Sequence, residues 1–352
     1  MISRKRIFRK LKSKLSIVQV KKKLSKTFTL CLDLIFTLAN KRNEIYMKGL
    51  VIKSTGSWYQ VLAEDGNTYE SRIQGKFRIK DIKSTNPLAV GDNVDILVEP
   101  EQSTAVITKL YPRKNYIIRR SVNLSKSVQI IATNLDQAFL VVTLASPMTS
   151  LGFIDRFLVT AEAYDVPARI VFNKLDLFSD EGLEILDQFE SIYTKLGYPC
   201  FQVSALEGTH IDQLKAELTG RKTLITGHSG VGKSTLINRL IPDAGLRTGN
   251  ISSWSEKGKH TTTFAEMIPL PMGGFLIDTP GIQELGVVDI EKNELAHFFP
   301  EFRDRLNQCR YNNCKHINEP GCSIIEAVNN GDIEPSRYQS YLSIYHGNET
   351  RN

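Results

Sequence analysis

The sequence predicts a multi-domain chain with three folded parts: an N-terminal OB-type β-barrel, a central α/β domain built on a phosphate loop, and a C-terminal helical metal-binding domain. Three observations carry that expectation. Short alternating strands separated by turn signals fill residues 47–110. From 138 to 277 apolar strands alternate with helical runs, the pattern of a mostly parallel sheet with helices on both faces. Past Pro300 the chain turns to short helices around a cluster of cysteines and a histidine. The expected division is a basic extension at 1–46, the barrel at 47–120, the α/β domain at 121–290 and the metal-binding domain at 291–352.

A chain of 352 residues partitions naturally into two or three compact units, and 41% hydrophobic with 24% charged residues is an ordinary globular composition. The net charge of +7 does not by itself argue for nucleic acid. Residues 1–46 hold 13 Lys/Arg against 2 Asp/Glu, whereas the other 306 hold 32 against 36. Any argument for RNA must therefore rest on local patches. The extension reads either as a targeting or membrane-surface segment or as a dispensable leader to a protein that starts at Met47, where a clean strand pattern begins; that pattern favours the second reading. Its apolar stretch, Phe28–Ala39, is interrupted by Asp33 and far too short to cross a bilayer, so no membrane partner is expected. Five unevenly placed cysteines argue against a disulfide framework and fit a reducing compartment.

In the barrel, strands are expected at Leu50–Ile52, Trp58–Leu62, Thr68–Ile73, Gly91–Val98 and Ala105–Ile107, with a turn at Asp65-Gly66-Asn67. Arg72, Lys76, Arg78, Lys80 and Lys83 crowd one loop, and Arg113, Lys114, Arg119 and Arg120 follow the last strand. With Phe77, Tyr111 and Tyr116 interleaved, this mixture suits phosphates and stacked bases, so RNA contact is expected over a merely solvated basic face. In the α/β region, strands are expected at 138–143, 168–172, 201–203, 222–226 and 274–277, and helices near 153–164, 181–196, 211–218 and 235–241.

Gly227-His228-Ser229-Gly230-Val231-Gly232-Lys233-Ser234, continuing into Thr235, fits G-x-x-x-x-G-K-[ST] between an apolar strand and a helix. The glycines let the backbone wrap a phosphate, the amides of 229–234 point inward, Lys233 reaches the β- and γ-phosphates, and the Ser234 hydroxyl meets Mg²⁺. A nucleoside triphosphate follows. Asn173-Lys174-Leu175-Asp176 ends the strand at 168–172, where α/β sheets bind ligands. The Asp176 carboxylate suits the paired N1–H and exocyclic amine of guanine, which adenine lacks. Lys174 can cover the base with its stem, and Asn173 can tie this loop to the phosphate loop. After the next strand, Ser204-Ala205 offers a backbone amide to guanine O6. Gly258-Lys259-His260-Thr261-Thr262-Thr263 follows the loop helix, with Thr262 the expected further Mg²⁺ ligand. Asp278-Thr279-Pro280-Gly281 then ends a strand, with Asp278 expected on Mg²⁺ through water and the Gly281 amide on the γ-phosphate.

These are the parts of a GTPase in an unusual order, since the base-reading stretches precede the phosphate loop. Over 47–352 the chain resembles the circularly permuted GTPases, in particular those dependent on the small ribosomal subunit. The matching stretches are Asn173–Asp176, Gly227–Thr235, Gly258–Thr263, Asp278–Gly281 and the C-terminal Cys/His cluster. The resemblance implies a monomeric cytoplasmic GTP hydrolase that binds the small ribosomal subunit and its rRNA and assists late maturation of that subunit. It also implies slow intrinsic hydrolysis stimulated by the subunit. Ile282 stands where many GTPases carry a water-orienting glutamine, which fits slow turnover, and His260 is the expected catalytic residue in its place; a structural or RNA-contacting histidine is the alternative.

Cys309-x4-Cys314-x-His316-x5-Cys322 offers three thiolates and one imidazole, a closed tetrahedral set for one structural Zn²⁺. Arg310, Tyr311 and Lys315 lie inside that loop and are placed to touch RNA, and tail helices are expected at Ser323–Asn329 and Ser336–Tyr345. Cys31, Cys200, His297 and the His228 side chain within the phosphate loop read as ordinary residues. Two other functions remain open from the residues alone: an RNA-binding adaptor with a merely regulatory nucleotide site, and a small-molecule kinase.

Overall fold

A computed structural model describes residues 45–74, 87–98, 103–120, 128–242, 265–278 and 290–347. Five strands form the first unit: β1 (Ile45–Ser54), β2 (Tyr59–Ala63), β3 (Thr68–Ile73), β4 (Asn93–Val98) and β5 (Thr104–Leu110). They run in the order β1-β2-β3-β5-β4, and β4 pairs back onto β1, so the barrel closes; β3 and β5 are parallel and the other pairs antiparallel. Alternation along each strand decides what faces inward. Tyr59, Val61 and Ala63 of β2 and Val94, Ile96 and Val98 of β4 are buried, and their neighbours in sequence are not. With Val51, Leu88, Ala105 and Ile107 they fill the barrel.

Two strands that periodicity did not reveal, β6 (Tyr116–Arg120) and β7 (Val128–Thr133), form a separate antiparallel hairpin. A buried ion pair ties it to the barrel. Arg113 donates from Nε and Nη2 to the two oxygens of Asp92, each at 2.7 Å, and the Thr133 hydroxyl donates to Asp92 Oδ1 at 2.9 Å. The Arg113 side chain is 7% exposed and that of Asp92 0%. This corrects the reading of Arg113 as an RNA contact: its charge is committed to an internal carboxylate. Lys114 and Tyr116 remain exposed, while Lys76, Phe77, Arg78, Lys80 and Lys83 lie outside the described residues.

The central strands are β8 (Gln137–Val142), β9 (Ala168–Phe172), β10 (Cys200–Gln202), β11 (Lys222–Thr226), β12 (Glu266–Pro269) and β13 (Phe275–Asp278), in the order β10-β9-β8-β11-β13-β12. All pair in parallel except β12, which is antiparallel to β13. Every residue of β8 is buried, as expected for a strand covered on both faces. Its Ala138, Leu140 and Val142 face α1 (Leu151–Ala163) and α2 (Asp180–Lys195). Its Phe139 and Val141 face α3 (Ile211–Leu218) and α4 (Lys233–Leu240). The barrel joins this sheet directly, because β1 meets β12 at Lys53↔Glu266, where the two side chains form an ion pair at 3.0 Å.

The C-terminal unit holds α5 (Pro300–Arg303), α6 (Ser323–Asn329) and α7 (Pro335–His346). Its core gathers Phe299, Phe302, Ile324, Ala327, Ile333 and Tyr341, and it includes Val159 of α1. Helix α1 is thus apolar on two sides, packing on the sheet through Ile154, Leu158 and Ala161 and on the C-terminal unit through Val159. No helix among the described residues is long and apolar enough to cross a membrane.

Candidate functional site

Strand β11 ends at Thr226, and the chain turns through Gly227–Gly232 into α4. Two of the glycines are required sterically. Gly227 has φ 149° and Gly232 φ 92°. A Cβ on Gly227 would lie 2.2 Å from the Val141 carbonyl oxygen, and one on Gly232 would lie 2.3 Å from Asn173 Nδ2. Lys233 folds back over the loop it terminates, donating to the carbonyls of Gly227 and His228 at 2.5 and 2.8 Å. Burial pulls its ammonium below the ordinary lysine value, and the nearby Asp278 carboxylate opposes that. Ser234 and Thr235 occupy the first turn of α4, and Asp278 ends β13 beside Ile225 of β11.

The His228 ring anchors the loop from outside. Its Nε2 lies 2.6 Å from the Thr149 hydroxyl and its Nδ1 2.9 Å from the Ser229 carbonyl. The Ser229 carbonyl can only accept, so Nδ1 carries a proton; in the neutral ring Nε2 then accepts the Thr149 hydroxyl, whose oxygen also accepts the Thr143 N–H. Burial lowers the ring's proton affinity, and Lys233 and Lys174 add to that against the Ser229 hydrogen bond. Phe153 of α1 packs edge-on against the imidazole, with centroids 5.5 Å apart. Histidine at this position read as an ordinary loop residue in sequence; its partners come from 79 and 75 residues upstream, and no local signal reveals them.

Asn173 joins the two halves of the site. Its Nδ2 donates to the Val231 carbonyl of the phosphate loop at 2.8 Å, and its Oδ1 accepts the Ala205 N–H at 3.0 Å. The Ala205 amide, expected on guanine O6, is therefore engaged by Asn173 in this structure. Lys174 adopts a left-handed conformation, φ 72°, and its Nζ reaches the Ser146 carbonyl at 2.6 Å. Leu175 opens the short turn Leu175–Leu177 that carries Asp176. Ser204, fully buried, donates its hydroxyl to Asp176 Oδ1 at 2.5 Å. A carboxylate has about four lone-pair directions, so Asp176 keeps acceptor capacity beyond this bond. The structure thus brings 173–176, 204–205, 227–235 and Asp278 to the carboxyl ends of the parallel strands. His260, Thr262 and Gly281 lie outside the described residues.

The second cluster lies in the C-terminal unit. Ligand atoms of Cys309, Cys314, His316 and Cys322 all fall within 4.8 Å of one another, with His316 Nδ1 3.5 Å from Cys309 Sγ and 3.4 Å from Cys322 Sγ. Three sulfurs and an imidazole nitrogen at these separations can hold one metal ion. His316 sits at φ 55°, a left-handed conformation that a non-glycine residue needs help to keep. That help is visible. The Glu319 carboxylate accepts the N–H groups of Lys315, Ile317 and Asn318 at 2.8–3.1 Å. Partial burial works against its charge, but these amides win and bring it to about 2. From α7, the Tyr338 hydroxyl donates to the His316 carbonyl and that of Tyr341 to the Lys315 carbonyl, each at 2.8 Å. Arg310, Tyr311 and Lys315 are exposed, whereas Cys200 is half-buried and burial pushes its thiol up to about 12.

Fold and site together define a phosphate-loop GTPase whose base-side motif precedes the phosphate loop in the chain. Residues 110–288 match the family model described as RsgA GTPase, and residues 48–107 match that of the RsgA N-terminal domain. The chain belongs to the RsgA GTPase family. The Small ribosomal subunit biogenesis GTPase RsgA of Bacteroides fragilis is 54% identical over 303 residues, 86% of this chain and 97% of that protein. The protein of the same name from Flavobacterium johnsoniae is 50% identical over 305 residues, 86% of this chain and 94% of its own length. Among solved structures, YjeQ from Thermotoga maritima superposes with a TM-score of 0.71 at 34% identity, covering 88% of this chain and all of that one. YloQ, described as a circularly permuted GTPase, gives 0.68 at 26% identity over 88% and 96% of the two chains.

Proposed function

We propose that this GTPase binds the small ribosomal subunit and its rRNA and acts in late maturation of that subunit, as a cytoplasmic monomer. In this reading Asp176 selects guanine, Lys174 covers the base, and the loop 227–235 with Lys233 holds the phosphates of GTP and, after hydrolysis, of GDP. Ser234, Thr262 and Asp278 hold Mg²⁺, which offsets the charge on the phosphates, and the Gly281 amide meets the γ-phosphate. His260 is assigned the catalytic role; Ile282, next to Gly281, supplies no side chain able to orient water, so turnover by the isolated protein is slow. Cys309, Cys314, His316 and Cys322 hold one Zn²⁺ as a closed structural site, since four protein ligands leave no position for chemistry.

The observation that carries the nucleotide assignment is Asn173, whose side chain bonds to both the phosphate loop and the Ser204-Ala205 turn. The ribosomal partner is supported by the names of relatives that the chain matches over nearly their whole length. The test is turnover of GTP and ATP by the full chain with and without purified small subunits. GTP-only hydrolysis that rises sharply with subunits is the expected result; equal rates would remove the ribosomal assignment. Replacing Asp176→Asn tests the base reading, and unchanged GTP affinity would remove it.

A further inference from the structure

The phosphate-loop helix carries a residue that the scheme above does not use. Arg239, in the last turn of α4, reaches across to the turn after β10 and donates from Nε to the Ala205 carbonyl at 3.0 Å and from Nη2 to the Leu206 carbonyl. Its guanidinium thus spans two consecutive carbonyls, a fork that a point-charge ammonium does not reproduce. Gly208 of the same turn stands at φ 90°, a backbone conformation that residues with a side chain rarely adopt.

Peptide geometry carries the consequence inward. In a trans peptide the carbonyl and the following N–H point to opposite sides. Holding the Leu206 carbonyl towards α4 turns the Glu207 N–H the other way, and that N–H donates to the Ser204 hydroxyl oxygen at 3.1 Å. Accepting it leaves the Ser204 proton to go to Asp176 Oδ1, the 2.5 Å bond described above. Arg239, the 206–207 peptide, Ser204 and Asp176 therefore form one continuous chain of oriented hydrogen bonds.

We propose that Arg239 is a positioning residue for guanine selection: by gripping the carbonyls of Ala205 and Leu206 it holds the Ser204 hydroxyl, and through it the Asp176 carboxylate, in place for the base. This inference rests on the reading of Asp176 as the residue that meets guanine. The Arg239 guanidinium is bonded to the 205–206 turn, so its loss should act on the Asp176 contact and not on the phosphate contacts.

The experiment is titration of the full chain with GDP and with IDP, whose hypoxanthine lacks the exocyclic amine. The wild-type chain is expected to prefer GDP. Arg239→Ala should weaken GDP about fivefold, the worth of roughly one net hydrogen bond, and IDP much less, so that the GDP-to-IDP ratio falls. Arg239→Lys keeps a cation at the end of α4 but loses the fork; it should also lower the ratio, by less, and serves if the alanine variant does not fold. Asp176→Asn gives the full loss for scale. A wild-type chain without preference would overturn the Asp176 reading and this inference with it. A wild-type preference that both Arg239 variants keep, whether or not they bind more weakly overall, overturns the inference alone, because a purely structural role at the helix end lowers both affinities together.

Discussion

Arg337 of α7 and Asp155 of α1 form an ion pair 2.6 Å long with side chains 1% and 0% exposed. Arg337 also donates to Glu301 at 2.7 Å, so one guanidinium joins the α/β unit to two elements of the C-terminal unit. Burial pushes the Asp155 carboxyl above the ordinary carboxylate range even with Arg337 beside it, and Tyr193 adds a hydrogen bond at 3.2 Å. Breaking one side of such a pair leaves a buried charge without its partner, which typically costs about 3–5 kcal/mol. Arg337→Met should lower stability by that amount in denaturant unfolding, and adding Asp155→Leu should restore most of it. A loss below about 1 kcal/mol would mean that the apolar contact around Val159, not the ion pair, holds the two units together.

The phosphate loop has its own dependence on pH. The folded state holds His228 neutral, with its proton affinity below the ordinary histidine value of 6.5. As pH falls through about 6.5 the unfolded chain takes up this proton and the folded chain does not, so the stability present above that pH is progressively lost below it. The slope from one residue cannot exceed about 1.4 kcal/mol per pH unit. His228→Gln keeps an acceptor for the Thr149 hydroxyl and cannot titrate. Between pH 7.5 and 5.5, melting temperatures should converge or cross in favour of the variant; parallel profiles would contradict the assignment of a neutral ring.

Gly232→Ala places a methyl against Asn173 at a backbone angle that alanine adopts at a cost of about 1–2 kcal/mol. Because Asn173 holds the phosphate loop against the Ser204-Ala205 turn, the variant should lose GDP affinity by tenfold or more while its secondary structure, by circular dichroism, stays as it was. Retained affinity would show that the loop can form without the Asn173 bridge.

Glu319 contributes no metal ligand, yet its carboxylate gathers three amides around His316. Substitution of such an outer group typically lowers metal affinity about 10–100-fold. Glu319→Gln should give up its metal to a chelator in competition at correspondingly lower chelator concentration. Stripping the metal from the unaltered chain should increase amide exchange over 309–322 before it affects β8–β11, since the residues between the ligands add no side chain to the apolar core.

How much of this is legible before folding depends on how far apart the partners lie in sequence. The barrel strands, the parallel strands and the helices announce themselves by alternation, apolar runs and glycine punctuation, all local signals, and they stand within a few residues of where periodicity puts them, except that β1 begins at Ile45, inside the stretch read as the extension, where Ile45 and Tyr46 pair with Val98 and Leu97. The Cys/His spacing is likewise local, and the structure gathers all four residues. What escapes is pairing over long separations. Arg113 reads as a surface cation until Asp92 is seen beneath it, 21 residues away. Asp155 looks like a polar break in an apolar helix until Arg337 meets it from 182 residues downstream. Strand β12, four residues long with Pro269 at its end and Pro271 just beyond, has too little pattern to separate from a loop.

The junction of β1 with β12 has a further consequence. An open sheet normally exposes two rows of unpaired backbone groups, each a template for another chain. Here the barrel abuts one side of the central sheet, and the barrel itself closes on β4, so that side offers little free row to a stranger. The other side ends in β10, only three residues long. The two sides of the central sheet therefore present little ladder on which a second copy can template, a protection against edge-to-edge aggregation built from the chain's own N-terminal unit.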